Sequence, residues 1–326
     1  MARRTSRGRN RGKGRDGSRP RRHRAKSGIA RARAIASRAR DAQRKVTARV
    51  RERRDARAAQ LALLPHLSLV RAPTAPMTLA VMGPELSVAT YNVHRWTGLN
   101  GRAAPDPARA GFVISELEAD VIALQEVLRP SGAATAGAAN DDPLVDLCDT
   151  LGLHLAFAVT REHKRGQLGN AILSRFPIAA TSVLDISHSR IERRGALAVQ
   201  FNGENGSLGI VATHLSLVDR TRQKQVESLL DHPQLHAGPT VLLGDMNAWR
   251  KCKATRSLDE TLHVHHNQKW PASFPSAKPV LALDRIYARG AQVIEVTVHD
   301  TPAARRASDH LPVVARIALA SRASER

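Results

Sequence analysis

In SDHLPVVARI, at 308–317, Asp309 and His310, two groups costly to dehydrate, stand directly ahead of an apolar run of strand length. The placement recurs along the chain. Asn92 follows SVATY, Glu126 follows VIALQ, His214 follows IVAT, Asp245 and Asn247 follow TVLLG, and Asp284 follows VLAL. One such residue is as well explained by a turn or a strand-end hydrogen bond as by a site. The repetition points further, because rigid strand ends can deliver side chains to one rim of a sheet.

The residue types select a chemistry. Asn and carboxylate oxygens suit a hard divalent cation such as Mg2+, with Mn2+ as a substitute, and such an ion completes its shell with waters and substrate phosphate oxygens. No Cys/His cluster with the spacing of structural zinc is present. Phosphoester hydrolysis also needs a proton carrier and donors for the charge on phosphate. His310 and His214 can fill those roles, with Asp284 fixing an imidazole tautomer. No G-x-S-x-G is present, and no P-loop or dinucleotide fingerprint precedes a helix, which disfavours the commonest serine-hydrolase and nucleotide-binding readings.

The elements expected to position these residues are short apolar runs: ELSVATYNV, ADVIALQEV, GNAILSRF, GALAVQF, LGIVATHLSL, TVLLGDMN, LDRIYAR, AQVIEVTVHD and LPVVARIAL read as strands. DPARAGFVISELEA, PLVDLCDTLG and RTRQKQVESLLDH have helical periodicity. The mixture predicts an α/β or α+β protein with at least one large sheet covered by helices.

Charge divides the chain. Residues 1–60 hold 23 Lys and Arg against 4 Asp and Glu, whereas the remaining residues are nearly balanced, so the pI of 11.4 describes an N-terminal extension. Its first 28 residues have Arg, Gly and Ser in place of core formers and are expected to be disordered, while the Ala/Arg-rich stretch to Gln60 can turn helical on phosphate. Nucleic acid is the expected partner and an anionic membrane surface the alternative, with no protein partner evident; a merely solubilising role competes with both. Residues 61–84, with RAPTAPMTLAVMGP, read as a linker and 85–320 as the domain. Cys148 and Cys252 form no disulfide framework, the apolar LALLPHLSLV is too short to span a bilayer, and no secretory signal is evident, so a cytoplasmic location is expected.

Taken in order, TYNVH, ALQEV, GNAILSRFPI, RRGALAVQF, ATHLSL, LLGDMNAW, LDRIYA and SDHLPVV resemble the endonuclease/exonuclease/phosphatase superfamily, whose fold is similar to deoxyribonuclease I, over roughly Glu85 to Leu319. The resemblance implies a four-layered α/β/β/α sandwich with a site at one end of two packed sheets. It implies Asn92, Glu126 and Asp309 as metal ligands and Asp245 and Asn247 as the pair that orients water and contacts phosphate. It implies His214 on the phosphate, Asp284 supporting the catalytic His310, and Arg194, with Arg193 an equal candidate, and Asn170 as substrate contacts. Abasic-site endonucleases carry Tyr at the His214 position, and the inositol-phosphatase signature is lacking after ATHLSL, so the likeness is greatest to small bacterial members of unassigned substrate. The expected activity is Mg2+-dependent phosphodiester hydrolysis on DNA, with phospholipid headgroups or small phosphoesters as the alternative. A degenerate domain used only for binding is disfavoured by the complete residue set. His94, His154, His163, His188, His263, His265 and His266 are expected at the surface or in local hydrogen bonds; Trp96, Trp249 and Trp270 are expected in core or rim packing rather than as base-stacking platforms, with Trp249, just after GDMN, the one to test.

Overall fold

The computed structural model describes residues 38, 43–56, 58–59, 62–75, 81–130, 142–189, 192–203, 206–262 and 269–319. It divides into two units, Met1–Gln60 and Leu61–Arg326. In the first, residues 43–56 are helical with every side chain exposed, while the expected disorder of residues 1–28 lies outside the described residues. No described helix is long and apolar enough to cross a membrane.

The second unit contains two sheets. Seven strands pair in the order β1 (His66–Arg71), β4 (His154–His163), β5 (Gly166–Ser174), β3 (Val121–Arg129), β2 (Glu85–Asn92), β12 (Val313–Leu319) and β11 (Ala291–Val298). Five pair in the order β10 (Asp284–Arg289), β9 (Thr240–Asp245), β8 (Gly206–His214), β7 (Gly195–Gly203) and β6 (Ala180–Asp185). Strand periodicity sorts the apolar residues into layers. Val241 and Leu243 of β9 face the seam between the sheets with Val88, Ala123, Ile172, Leu197, Ile210 and Val313. Leu242 points outward to Val226 and Leu229 of α3 (Asp219–Leu230) and Ala254 and Leu258 of α4 (Lys253–Thr261). On the other side, α1 (Pro107–Glu116) and α2 (Pro143–Leu151) cover Ala89, Tyr91, Ile122, Leu124 and Phe157. The four-layered sandwich is therefore present.

The linker expectation is corrected. His66–Arg71 forms β1, an antiparallel edge strand on β4, and Leu64 and Met82 are buried in the core. LALLPHLSLV reads as a connection because an edge strand is only half-buried and lacks the continuous apolar run of an inner one. β4, β6 and α4 are likewise additional to the expected elements; β6 is another edge strand, and α4 is a polar helix with three buried positions.

Topology places the site. β2 and β3 are parallel, as are β8 and β9, so Asn92, Glu126, His214 and Asp245 all fall at or near C-terminal strand ends. β10 is antiparallel to β9 and pairs its first residue, Asp284, with Asp245; β12 enters antiparallel to β2, bringing Asp309 and His310 to the same edge.

Candidate active site

Local backbone features aim the side chains. In β3 the register with β5 shifts between Leu124 and Val127, so Gln125 and Glu126 stand opposite Asn170 alone. This bulge, with Glu126 at φ 54°, turns its carboxylate out of the ladder. Gly244 has φ 151°, and a Cβ there would lie 1.9 Å from the Thr213 carbonyl oxygen; only glycine lets β9 approach β8 so closely at the residue before Asp245. Asn247 also has positive φ, 49°. At the far end of β3, Arg129 is fixed by a buried ion pair with Asp142, 2.6 Å, beneath Phe157.

His310 Nδ1 lies 2.8 Å from Asp284 Oδ2, which also accepts from Ser273 Oγ at 2.6 Å. This directs the other ring nitrogen, Nε2, toward Asp245 Oδ2 at 3.7 Å. Burial alone would lower the pKa of His310, but the anions of Asp284 and Asp245 outweigh it and raise the value to about 10. Asp245 is pushed up to about 6, first by burial, against the opposing pull of His310. Its Oδ1 accepts from the Asn247 backbone at 2.9 Å and its Oδ2 from Asn92 Nδ2 at 3.1 Å. His214 Nε2 is 3.4 Å from the same Oδ2. Burial, aided by the charges of Arg194 and His310, holds His214 well below the usual imidazole range, so it acts as a neutral donor.

Asp309 and Glu126 form the second part of the site. Asn92 is tied to this corner, because Ser308 Oγ donates to its backbone oxygen at 2.6 Å. The Asp309 pKa is raised by burial and also by the charge of Glu126, despite His310 and His94. The carboxylates of Glu126 and Asp309, close enough for one charge to act on the other, and the Asn92 amide oxygen, which accepts from the His94 backbone at 3.0 Å and keeps a second lone pair, are the donor types a hard divalent cation accepts, so these residues fit a metal. Asp245, Asp284 and His310 also bring ligating atoms within 4.8 Å of one another. Asp284 Oδ2 accepts from Ser273 and faces His310 Nδ1, which makes the group a proton relay, while its buried Oδ1 has no partner among the described residues.

A cleft of about 110 Å³ adjoins Glu126 and His214. Asn170 lines it and donates to the Gly195 carbonyl at 3.0 Å, while Arg194 is held by Glu192 at 2.8 Å. All ten expected site residues thus lie at this end of the sheets or on its cleft.

Three features were not expected. His94 is half-buried and makes the expected local contact, Nδ1 to the Gly98 carbonyl at 3.0 Å, but the same nitrogen also lies 3.2 Å from Asp309 Oδ1. Arg95 Nε is 3.3 Å from Glu126 Oε2. Both come from HRW, three consecutive left-handed residues, a conformation composition does not announce. Glu192 accepts from Ser216 Oγ at 2.6 Å and so fixes Arg194. His188 is exposed, as expected, and meets Ser228; His263, His265 and His266 lie outside the described residues. Trp96 is buried, and Trp249 is 67% exposed at the rim.

Residues 89–310 match the sequence pattern described as Endonuclease/Exonuclease/phosphatase family. The chain is 31% identical over 251 residues to YbhP of Escherichia coli (strain K12), an uncharacterized protein, covering 71% of this chain and 96% of the relative. The crystal structure of an endonuclease/exonuclease/phosphatase from Beutenbergia cavernae DSM 12333 superposes with TM-score 0.59 at 25% identity, covering 72% of each chain. The human Nocturnin catalytic domain has the same fold, with TM-score 0.56 at 19% identity over 74% of this chain and 97% of its own.

Proposed function

The chain belongs to the endonuclease/exonuclease/phosphatase family and is a phosphoric ester hydrolase; on that premise we propose that it is a Mg2+-dependent phosphodiesterase acting on nucleic acid, most simply DNA. The observation that carries the chemistry is the Ser273–Asp284–His310 relay, whose free nitrogen faces Asp245. Asp245, ionised above about pH 6, orients a water and takes its proton as the oxygen attacks phosphorus in line. His310, protonated at neutral pH, gives its Nε2 proton to the leaving oxygen as the P–O bond breaks. His214 and the second amide hydrogen of Asn247, whose first goes to the Leu215 carbonyl, donate to the non-bridging oxygens. When bound by Asn92, Glu126 and Asp309, the ion would supply positive charge against the phosphate.

The nucleic-acid assignment rests on the basic extension, 23 cationic residues against 4 acidic ones in positions 1–60. Phospholipid headgroups form the second reading, favoured by Leu217, Val218 and Trp249, all more than half exposed on the loops that follow His214 and Asn247.

Plasmid DNA, RNA, phospholipid vesicles and an aryl phosphodiester, each assayed with Mg2+ and with EDTA, separate these readings. Plasmid nicking that EDTA abolishes is the expected result. Turnover of vesicle lipid without cleavage of either nucleic acid would overturn the substrate assignment, and EDTA-resistant turnover the metal. Deleting residues 1–60 should flatten the salt dependence of DNA binding and leave aryl-diester turnover within about twofold. Equal loss of both would assign the extension to the catalytic unit.

A further inference from the structure

The cleft beside Asn170 is lined by four arginines, Arg95, Arg161, Arg193 and Arg194, and only two acids, Glu126 and Glu192. Glu192 is committed to Arg194 through two hydrogen bonds, 2.8 and 3.1 Å. Glu126 meets Arg95 at 3.3 Å and is also a candidate metal ligand. Among the described residues the one ion pair of Arg193 is with Asp185, at 3.5 Å. Arg161 follows a register shift in β4 and forms no ion pair among the described residues. Positive charge in the cleft therefore exceeds its internal compensation.

Two donors make the deficit specific. Nε of Arg193 is buried and has no hydrogen-bond acceptor among the described residues, and Nε of Arg95, also buried, lies 3.3 Å from Glu126 Oε2 without hydrogen-bonding to it. Buried N–H groups left unpaired are unfavourable, more so on a charged group. The acceptor that would satisfy guanidiniums converging from separate strands and loops is a tetrahedral oxyanion, which offers several oxygens at once. A volume of about 110 Å³ accommodates one. Asp245 and His310 do not line this cleft, and His214 stands between it and Asp245, so a group held by Arg95, Arg161 and Arg193 is offset from the scissile phosphate.

We propose that Arg95, Arg161 and Arg193 form a subsite for a second phosphate of the substrate, adjacent to the one that is cleaved. The inference rests on the phosphodiesterase reading and deepens it: the preferred substrate carries phosphates in series, as a nucleic-acid backbone does, and isolated diesters are poor substrates. Arg194, fixed by Glu192, positions the shared wall of the cleft.

Thymidine 5′-(p-nitrophenyl phosphate), with and without a 3′-phosphate, provides the test. The wild type should show a KM lower by on the order of tenfold for the 3′-phosphorylated diester, the size expected of one charge-assisted contact. In Arg161→Ala and Arg193→Ala that ratio should collapse toward one, with melting temperatures unchanged. Equal KM values in the wild type, or a ratio that survives both substitutions, would overturn the subsite. Calorimetric binding of thymidine 3′,5′-bisphosphate against thymidine 5′-monophosphate reads the same preference without turnover. A bisphosphate preference lost in Arg161→Ala, with neither diester hydrolysed, would keep the subsite and count against the phosphodiesterase reading; no preference would sink the subsite whatever the turnover.

Discussion

His310→Ala should lower kcat on a phosphodiester by about 10²–10⁴, the usual contribution of a positioned proton carrier. The same substitution should destabilise the fold by roughly 3–5 kcal/mol, because it strands the fully buried carboxylate of Asp284 without its cation. The stability effect has a predictable pH dependence. The folded pKa of His310 is raised from 6.5 to about 10, so the pair contributes fully below pH 6.5 and its contribution is lost as pH rises through about 10. Denaturant melts of wild type and variant should accordingly converge between those values. His310→Ala/Asp284→Asn should regain part of the stability but none of the activity, separating the two roles. A single variant that melts like the wild type at pH 6 would show that Asp284 has another partner, and an unchanged kcat would remove His310 from the reaction.

The inner framework was legible because inner strands are continuous apolar runs: VIALQEV and TVLLGDMN are buried along almost their whole length and correspond to β3 and β9. Legibility failed at the edges. HLSLVR and ATSVLD contain only half-buried and exposed positions, with none fully buried, and offer little contrast with a loop. α4 was hidden for a related reason: KATRSLDET buries only Ala254, Thr255 and Leu258, and its cap is a cysteine bonded to Thr255.

The site was legible wherever a residue ended a strand, since strand direction then decides its location. Arg95 and His94 were not, because a left-handed turn rather than a periodic element delivers them to Glu126 and Asp309. Ser273 escaped notice because it shares Oδ2 of Asp284 with His310, a contact between separate segments that only the fold brings together. The cleft arginines lie on three separate segments, and only folding shows that their charges converge.

Asp245→Asn should produce the opposite combination from His310→Ala: kcat lower by on the order of 10³-fold, with stability at neutral pH undiminished or increased. Asp245 is buried, and its folded pKa of about 6 lies above the ordinary 3.8, so the fold disfavours the ionised form. Its unfavourable contribution is absent below pH 3.8, grows as pH rises through about 6, and reaches on the order of 3 kcal/mol above that. Asparagine retains an oxygen for the Asn247 N–H but carries no charge to desolvate and no basic oxygen to take a proton from water. Melts in EDTA should therefore favour the variant at pH 8 more than at pH 5. The charge of Asp245 also supports the imidazolium of His310, so the variant should lower the pKa of His310 as well, and NMR titration of its ring protons reads that directly. A variant less stable at pH 8 than at pH 5, relative to wild type, would show that Asp245 is held for packing rather than for the charge that chemistry at this rim requires.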